Sequence, residues 1–229
     1  MVQNKYVITD VQKAIGQHIV SRIRATRSFG NVKEGDLGGY IESESNLSHN
    51  GECWVYDDAT VYGNAHVERD AKVKDQATVS GQALVSDKAV VAGETRVFDR
   101  AMVYDSAKVL GMASVYNNAQ VFGLAKVMGS AKVHDDAWVY GDFTIEGSAN
   151  ITSKTTQKPI VLSGFTYDIC IMDEHISIDC QTKTFDEWRA VTREEAFAMN
   201  GRDSLRFFRH APDTIEFLLQ KYRKKDSNV

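Results

Sequence analysis

The chain has 229 residues, of which 25% are charged, and its formal net charge is −4 at pH 7. This balance favours neither a general nucleic-acid binder nor an acidic mimic of DNA. The three cysteines, Cys53, Cys170 and Cys180, form neither a disulfide framework nor a zinc-binding pattern. The N-terminal residues lack the apolar core of a signal peptide, and no stretch is apolar over the length of a membrane span. We therefore expect a cytoplasmic protein without a membrane partner.

A short β entry segment is predicted over residues 1–40. Residues 6–8 and 18–24 have the apolar and β-branched composition of strands. Residues 30–39 are rich in glycine and other turn-forming residues. Leu47 stands at what is predicted to be the inward third position of the repeat that follows. The first coil is therefore expected to begin at the end of this segment.

From Gly51 to Thr152 the chain repeats a six-residue unit, G/D-x-A-x-V-x, seventeen times without insertion or deletion. The third position is Ala in fourteen units and the fifth is Val or Ile in all seventeen. Apolar residues at positions three and five alternate with polar ones, which is the period of a half-buried strand. Gly, Asp or Asn at position one provides a corner after every strand.

The hexads predict an all-β solenoid over residues 41–152. An antiparallel meander would need two-residue reversals instead of single recurrent corner residues. Flat sides joined by regular corners instead form a three-sided parallel β-helix, in which three hexads make one coil of eighteen residues and the repeat makes about six coils. Small inward residues fill such a column and leave no internal ligand cavity. Any function is therefore expected on the outer faces.

The last unit, residues 153–229, is predicted to be a small α/β cap over one open end of the column. Its β segments are expected at residues 159–162, 167–171 and 175–179. Helix signals follow: capping boxes that begin at Thr184 and Thr192, a stop at Gly201, a new start at Asp203 and a final helix from Pro212.

The hexads resemble the left-handed β-helix of the hexapeptide-repeat (transferase hexapeptide) superfamily. The entry resembles a narrower group, the YdcK-like proteins of enteric bacteria and of phages and prophages, many of them named putative transferases. The residues that carry this resemblance are 22–25, 35–42, 46–48 and 53–56, with 178–180, 184 and 187–188 at the close of the chain. The resemblance implies a left-handed column, often trimeric and phage-encoded. It implies no particular substrate.

Acyltransferases of the superfamily have active sites between subunits, and loops that interrupt the hexads help to form them. No hexad between residues 51 and 152 is interrupted. His66 and His134 lie at outward positions of ordinary strands, and His18, His175 and His210 have no evident partner in the sequence. We therefore predict no catalytic residues and no cofactor; acyl-CoA enters only if the transferase alternative holds.

The corner aspartates do not form the nonapeptide pattern of calcium-binding β-rolls, so no metal site is predicted.

Residues eighteen apart are expected to stack in ladders, so the outward side chains define three faces. The apolar face is the predicted oligomer interface and consists of Leu84, Met102, Tyr104, Phe122, Trp138 and Tyr140. Cover by the C-terminal segment is an alternative for this face. The lysine face includes Lys72, Lys74, Lys108 and Lys126. The mixed face combines rings with cations and includes Arg96, Phe98, Tyr116, Lys132 and His134.

Cations beside rings can hold an anionic group while an aromatic base contacts a ring. The predicted ligand-binding residues are Arg96, Phe98, Tyr104, Lys108, Tyr116, Phe122, Lys126, Lys132, His134, Trp138 and Tyr140. The leading hypothesis is a non-catalytic homotrimer, phage- or prophage-encoded and active in the host cytoplasm. It would capture a small nucleotide-like anion or a host protein in its outer clefts as a counter-defence. An acyl-CoA-dependent acyltransferase and a purely structural spacer are the alternatives.

Overall fold

The computed structural model describes residues 4–155, 159–162, 167, 169–173, 175–178, 181–208, 213 and 216. It confirms the predicted fold class. The chain forms an all-β solenoid of about six parallel coils, with a β entry segment at one end and a small sheet with helices at the other.

The entry segment is continuous with one face of the column. Strands β1 (Tyr6–Ile15) and β2 (His18–Ala25) pair antiparallel, and β2 pairs antiparallel with β3 (Leu37–Ile41). Strand β3 then pairs in parallel with the first regular strand of the mixed face, Tyr40 opposite Thr60. The predicted first strand was too short, because β1 extends to Ile15. A short 3₁₀ helix, Glu44–Asn46, follows β3.

Each hexad contributes one two-residue strand at its fourth and fifth positions. In chain order these strands, β4 to β20, are Trp54–Val55, Thr60–Val61, His66–Val67, Lys72–Val73, Thr78–Val79, Leu84–Val85, Val90–Val91, Arg96–Val97, Met102–Val103, Lys108–Val109, Ser114–Val115, Gln120–Val121, Lys126–Val127, Lys132–Val133, Trp138–Val139, Thr144–Ile145 and Asn150–Ile151.

The strands form three parallel sheets that correspond to the three predicted faces. The lysine face consists of β4, β7, β10, β13, β16 and β19, and the apolar face consists of β6, β9, β12, β15 and β18. The mixed face consists of β5, β8, β11, β14, β17 and β20, extended by the three entry strands. Neighbouring strands are in register with residues eighteen apart, such as Met102 opposite Gln120. Outward side chains therefore stack coil upon coil.

The interior of the column is narrow and apolar. The fifth-position valines are fully buried, as are nearly all third-position alanines, in one continuous core. Each buried valine stabilises the fold by roughly 1.5–3 kcal/mol relative to an exposed one. Thr95 replaces an alanine in this interior, and its hydroxyl is buried without a hydrogen-bond partner among the described residues. The location of function on the outer faces stays a prediction, which the apolar interior of the column supports.

The corner aspartates are structural, as predicted. They adopt positive φ angles, 58° at Asp75 and 57° at Asp105. Their carboxylates accept backbone N–H groups one coil further along: Asp75 Oδ2 accepts from Gly93 at 2.8 Å and Asp105 Oδ2 accepts from Gly123 at 3.0 Å. Each such bond joins two adjacent corners, so these carboxylates are used in coil-to-coil contacts.

The corner glycines differ in how much space surrounds them, and this predicts a difference between two alanine variants. A Cβ atom on Gly93, whose φ is 89°, would lie 2.5 Å from the Gly111 carbonyl oxygen, whereas one on Gly141, whose φ is 65°, would have no atom within 4 Å. Both variants carry the cost of a positive φ, about 1–2 kcal/mol. Only Gly93→Ala must also move backbone. We expect its melting temperature to fall well below that of Gly141→Ala in calorimetry; equal values would contradict this packing argument.

The predicted register of Leu47 was wrong. Leu47 pairs in parallel with Val67, so it occupies the fifth position and not the third. The offset between partners is twenty residues at this bridge and eighteen from Trp54 onwards, where Trp54 pairs with Lys72. The first coil therefore contains two more residues than each later coil, and these two residues lie between Leu47 and Trp54. The Lys5 side chain is buried beside this stretch, in contact with Cys53.

Lys5 closes the N-terminal end of the column. Its Nζ donates to the Cys53 carbonyl oxygen at 2.8 Å and contacts Cys53 Sγ at 3.2 Å. Burial lowers the pKa of this amine, and burial raises the pKa of the Cys53 thiol. The Tyr6 hydroxyl donates to the Leu47 carbonyl oxygen at 2.8 Å beside it. Lys5 and Tyr6 thus bond to carbonyl groups of the first coil, whereas Nε2 of the neighbouring His49 is buried without a hydrogen-bond partner among the described residues.

The C-terminal sheet has one strand more than predicted. Its strands are β21 (Ile160–Leu162), β22 (Ile169–Ile171), β23 (His175–Ile178) and β24 (Gln181–Thr184), all antiparallel. The polar sequence of β24 concealed it. The sheet contacts the last coil, since the Ser177 hydroxyl donates to the Asn150 carbonyl oxygen at 2.5 Å and Met172 packs in the core of the column.

Two helices follow, α1 (Phe185–Arg189) and α2 (Arg193–Phe208). The Thr184 and Thr192 capping boxes are confirmed by reciprocal hydrogen bonds with Glu187 and Glu195. The predicted stop at Gly201 and restart at Asp203 were wrong, because α2 runs through both. The stop signal appears only as a local φ of 62° at Gly201. Almost all of the predicted final helix lies outside the described residues. No described helix is long and apolar enough to span a bilayer.

Candidate functional site

The mixed face carries a ladder of three stacked rings, Phe98, Tyr116 and His134, which we call the mixed ladder. The ring centroids of Phe98 and Tyr116 are 4.9 Å apart with an interplanar angle of 2°. Those of Tyr116 and His134 are 4.7 Å apart at 5°. The three rings stand at the sixth position of consecutive coils, so the in-register pairing of the coils positions them.

The apolar face carries a second ladder of Tyr104, Phe122 and Tyr140, which we call the apolar ladder. Tyr104 and Phe122 stack at 5.0 Å and 2°, and Phe122 and Tyr140 stack at 5.3 Å and 12°. The Trp138 ring meets the Phe122 ring edge-on at 6.2 Å. The structure therefore brings together the aromatic residues that were predicted to form ladders.

The orientation of the rings limits how another molecule can contact them. Stacked rings in both ladders are nearly parallel, with interplanar angles between 2° and 12°, so one ring partly covers the face of the next. A foreign ring can stack only where a ladder ends. Along the length of a ladder only ring edges and hydroxyl groups are available, as in the edge-to-face contacts that aromatic groups commonly make.

Exposed cations lie on the same sheet as the mixed ladder. Arg96 and Lys132 occupy the fourth positions of β11 and β17, two residues before Phe98 and His134, and both are exposed. Neither forms an ion pair within the described part of the chain, so both charges are available to an anion. Their Cα positions are two coils apart, with Ser114 between them.

The two predicted lysines lie elsewhere. Lys108 and Lys126 are adjacent on the lysine face, exposed and in register. A corner separates this sheet from each aromatic ladder within one chain. These lysines therefore join a ligand site with rings only if columns associate, and their predicted binding role stays a prediction.

Burial affects the hydroxyl groups of the ladders. It raises the pKa of Tyr104 and, with a further contribution from Asp135 and Asp99, that of Tyr116. Both phenols are therefore neutral at physiological pH and can donate hydrogen bonds. The Tyr104 hydroxyl already donates to Gln120 Oε1 at 3.1 Å, across one coil.

His134 is held by the column. Its Nε2 lies 2.7 Å from Asn150 Oδ1, and its Nδ1 lies 3.1 Å from Asp135 Oδ2. Its side chain is 16% exposed. Because both ring nitrogens are engaged and the ring is stacked, the geometry supports a structural role and offers no free base.

The structure reveals a histidine–carboxylate pair that sequence reasoning missed. His18 Nδ1 lies 2.9 Å from Glu42 Oε1, and Glu42 Oε2 accepts the Gly63 N–H at 2.6 Å. The hydrogen bond from His18 and then that from Gly63 hold the pKa of Glu42 below its usual value. The His18 ring also lies 4.8 Å from Tyr62. The expectation that His18 has no partner was wrong, because β2 and β3 bring together residues that are distant in the sequence.

The other histidines show no catalytic arrangement in the described part of the chain. His66 Nδ1 donates to the Ser45 carbonyl oxygen at 2.5 Å, and His175 Nδ1 is buried without a hydrogen-bond partner. His210 lies outside the described residues. No cluster of three or more potential metal ligands occurs among the residues that the structure describes.

The apolar face has a composition typical of a covered surface. Between Leu84 and Tyr140 none of its outward positions carries a charged side chain. Leu124, at the adjacent corner, is 63% exposed and extends the apolar area. Lys154 covers one ring of this face, with its Nζ 3.7 Å from the Trp138 ring. Lys154 thus covers the end of the face near Trp138, and no other described residue of the C-terminal segment makes a ring contact with the apolar ladder from Tyr104 to Tyr140.

The uninterrupted hexads, the in-register coils and the three parallel sheets define a hexapeptide-repeat-like β-helix. A family model described as "YdcK Beta solenoid repeat" matches residues 55–69. The chain is similar to "Uncharacterized acetyltransferase YdcK" of Escherichia coli (strain K12), at 28% identity over 78 residues, which is 30% of this chain and 24% of that protein. The match therefore spans about a quarter of that relative.

Proposed function

We propose that this protein is a non-catalytic binding protein whose mixed face captures a small, nucleotide-like anion. One observation carries the proposal: the stacked mixed ladder shares its sheet with Arg96 and Lys132, two exposed cations without ion-pair partners among the described residues. Guanidinium and ammonium groups bind phosphate oxygens, while rings and phenols contact a heterocyclic base. The rigid column holds these groups at fixed spacing, which lowers the entropic cost of binding.

The proposal includes a homotrimer in which the apolar faces are the contact surface. That face lacks charge over four coils, and aromatic side chains together with Met102 are the residue types enriched at subunit interfaces. Association of columns through it would bring Lys108 and Lys126 of one column towards a neighbouring column. The lysine and mixed faces would then border the clefts between subunits.

The resemblance to phage and prophage proteins extends this proposal to a biological role. A rigid column that holds a nucleotide-like signal without changing it would lower the free concentration of that signal in an infected host. Such sequestration would act as a counter-defence. Capture of a host protein by the same clefts is the other outcome that the test below distinguishes.

The test is to identify what the purified protein retains from a cell extract. We expect mass spectrometry of the denatured sample to release one unchanged phosphate-containing small molecule. Binding should fall by at least about tenfold in Arg96→Gln, because a charge-assisted hydrogen bond to phosphate is lost. Lys72→Gln, on the lysine face near the N-terminal end, is the control and should bind normally. Retention of a protein instead, or of nothing, would contradict the small-anion proposal; retention of nothing is the outcome expected of a structural spacer.

An acyltransferase is the second candidate, because the pairing of His18 with Glu42 provides a positioned imidazole that the sequence did not indicate. The relative from Escherichia coli is also named an acetyltransferase. Release of free coenzyme A from acetyl-CoA by the wild-type protein with extract as acceptor, and its loss in His18→Gln, would support this candidate. Equal, background release by both proteins would count against it.

A further inference from the structure

The mixed face lacks one ring in an otherwise aromatic row. Its sixth positions on consecutive coils are Tyr62, Ser80, Phe98, Tyr116 and His134. The strands that carry the first three are adjacent and in register, with Thr60 opposite Thr78 and Thr78 opposite Arg96. Ser80 therefore leaves a gap of one rung between two aromatic side chains. We call this gap, with its neighbours Tyr62, Phe98 and Arg96, the Ser80 slot.

The size of the slot matches one aromatic ring. Tyr62 and Phe98 stand two coils apart, which is about 10 Å, or twice the 4.9 Å spacing of Phe98 and Tyr116. A planar ring placed midway would lie at ordinary stacking distance from both side chains. The only ring contact of Phe98 among the described residues is with Tyr116, on its other side. The face of Phe98 towards Ser80 thus has no aromatic neighbour in the described chain.

The His134 end of the mixed ladder and the Tyr104 end of the apolar ladder do not offer the same opening. Beyond His134, the Asn150 side chain bonds to the imidazole. On the apolar face the position below Tyr104 is Ser86, which is buried, and the next position along the row is Glu68, whose carboxylate repels an anion. The Ser80 slot is therefore the one gap between two aromatic side chains at the outward sixth positions of these two faces.

The groups around the slot suit a nucleoside phosphate. Arg96, exposed and two residues before Phe98, can form paired hydrogen bonds to a phosphate. Hydroxyl groups of Ser80 and Thr78 and the phenol of Tyr62 are available for the edge of a base. His18, fixed by Glu42, contacts the Tyr62 ring and supports it from the entry segment.

We propose that the Ser80 slot binds the base of a nucleoside phosphate between Tyr62 and Phe98, with the phosphate on Arg96. This inference rests on the proposed function, because it assigns the ligand class and the position of binding on the same face. It adds Tyr62 and Ser80 to the predicted binding residues. A sequence search for cations and rings overlooks Ser80, because Ser80 is recognised only by the absence of an aromatic ring at its position in the row.

The experiment uses the full chain and titrates AMP, GMP, CMP and UMP by calorimetry, with adenosine and inorganic phosphate as separate ligands. We expect at least one nucleoside monophosphate to bind more tightly than adenosine or phosphate alone, since only it uses both rings and Arg96. Ser80→Phe should fill the missing rung and weaken binding by more than about a hundredfold, while its stacked ring maintains or raises the melting temperature. Ser80→Ala keeps the slot open and should bind within about threefold of the wild type.

Several results would overturn the proposal. The first is a Ser80→Phe variant that is folded and binds like the wild type. If that variant does not fold, Phe98→Leu and Arg96→Gln provide the test. Unchanged affinity for the nucleotides in both variants would also overturn the proposal. Failure of all four nucleotides to bind also overturns it. The broader proposed function, capture of a small anion, fails separately if the purified protein retains no anion from the extract. If wild type and Ser80→Phe retain an anion equally, only its binding at the Ser80 slot is refuted.

Discussion

Replacing Val91 by aspartate is expected to unfold the protein at room temperature. Val91 lies at the fifth position of its hexad and is fully buried in the column, where it pairs with Val73 and Val109 of the adjacent coils. A carboxylate there would be shielded from solvent among the apolar side chains of the core. The cost of burying it, more than about 4 kcal/mol, is a large part of the roughly 5–15 kcal/mol by which folded proteins are stable. A disrupted middle coil also separates the coils on its two sides, because each coil contacts only its neighbours.

The same substitution at the adjacent residue provides a matched control. Val90 is the outward fourth position of the same strand, and its register partners are Lys72 and Lys108. Val90→Asp places a carboxylate between two lysine side chains on a partly solvated face. The expected change in unfolding free energy is a gain of about 0–1 kcal/mol, the range of exposed cross-strand charge pairs.

Circular dichroism during thermal unfolding measures both variants. Val91→Asp should show little β signal and rapid proteolysis, and Val90→Asp should unfold within a few degrees of the wild type. Equal destabilisation by the two variants would mean that the contribution of a residue to stability does not depend on whether its side chain points into or out of the column. That result would contradict the alternation on which the three-sided column depends.

The six-residue period of the sequence predicted the column and its three faces, because each repeat unit forms one side of a coil. When each coil holds eighteen residues, a position in one hexad lies directly above the same position three hexads earlier. The stacking of Phe98 on Tyr116 and of Tyr104 on Phe122 could therefore be predicted by counting. The corner role of Asp75 followed from the same count and from the tolerance of aspartate for a positive φ.

Features outside the period could not be counted in this way. The register of Leu47 depends on two additional residues, which the hexad pattern does not reveal because it begins after them. The contact of His18 with Glu42 requires the pairing of β2 and β3, which no local pattern specifies. Gly201 appeared to be a helix stop, but the helix continues through it with a local φ of 62°. In each case the structure depends on residues beyond the short sequence pattern from which the prediction was made.

Replacing Phe122 by aspartate is expected to convert the proposed trimer into single chains. In light scattering the mass should fall from three times to one times the 25.5 kDa of one chain. Phe122 is the middle ring of the apolar ladder, in contact with Tyr104 at 5.0 Å and Tyr140 at 5.3 Å. A charge at the centre of the proposed interface would be desolvated without a partner. Such a charge is among the most unfavourable changes that a subunit contact can undergo.

Tyr116→Asp is the matched control, because it removes the middle ring of the mixed ladder at the equivalent position of the adjacent face. Tyr116 stacks between Phe98 and His134 at 4.9 Å and 4.7 Å, so the loss of intrachain stacking is similar in the two variants. The loss of stacking should therefore lower both melting temperatures to a similar extent, and Phe122→Asp should lose in addition the stability that assembly contributes. Any difference in mass or in ligand binding then reports what each face contacts and not how stable the column is.

The pair of variants assigns the two faces. A single-chain mass for Phe122→Asp with a trimer for Tyr116→Asp identifies the apolar face as the interface, and weakened nucleotide binding in Tyr116→Asp then places the ligand on the mixed face. The reverse pattern would exchange the two roles. A trimer in both variants, or a wild-type mass of one chain, would contradict assembly through the apolar face. In the second case we expect the uncharged surface between Leu84 and Tyr140 to bind another molecule, because contiguous apolar patches on a monomer mark interaction sites.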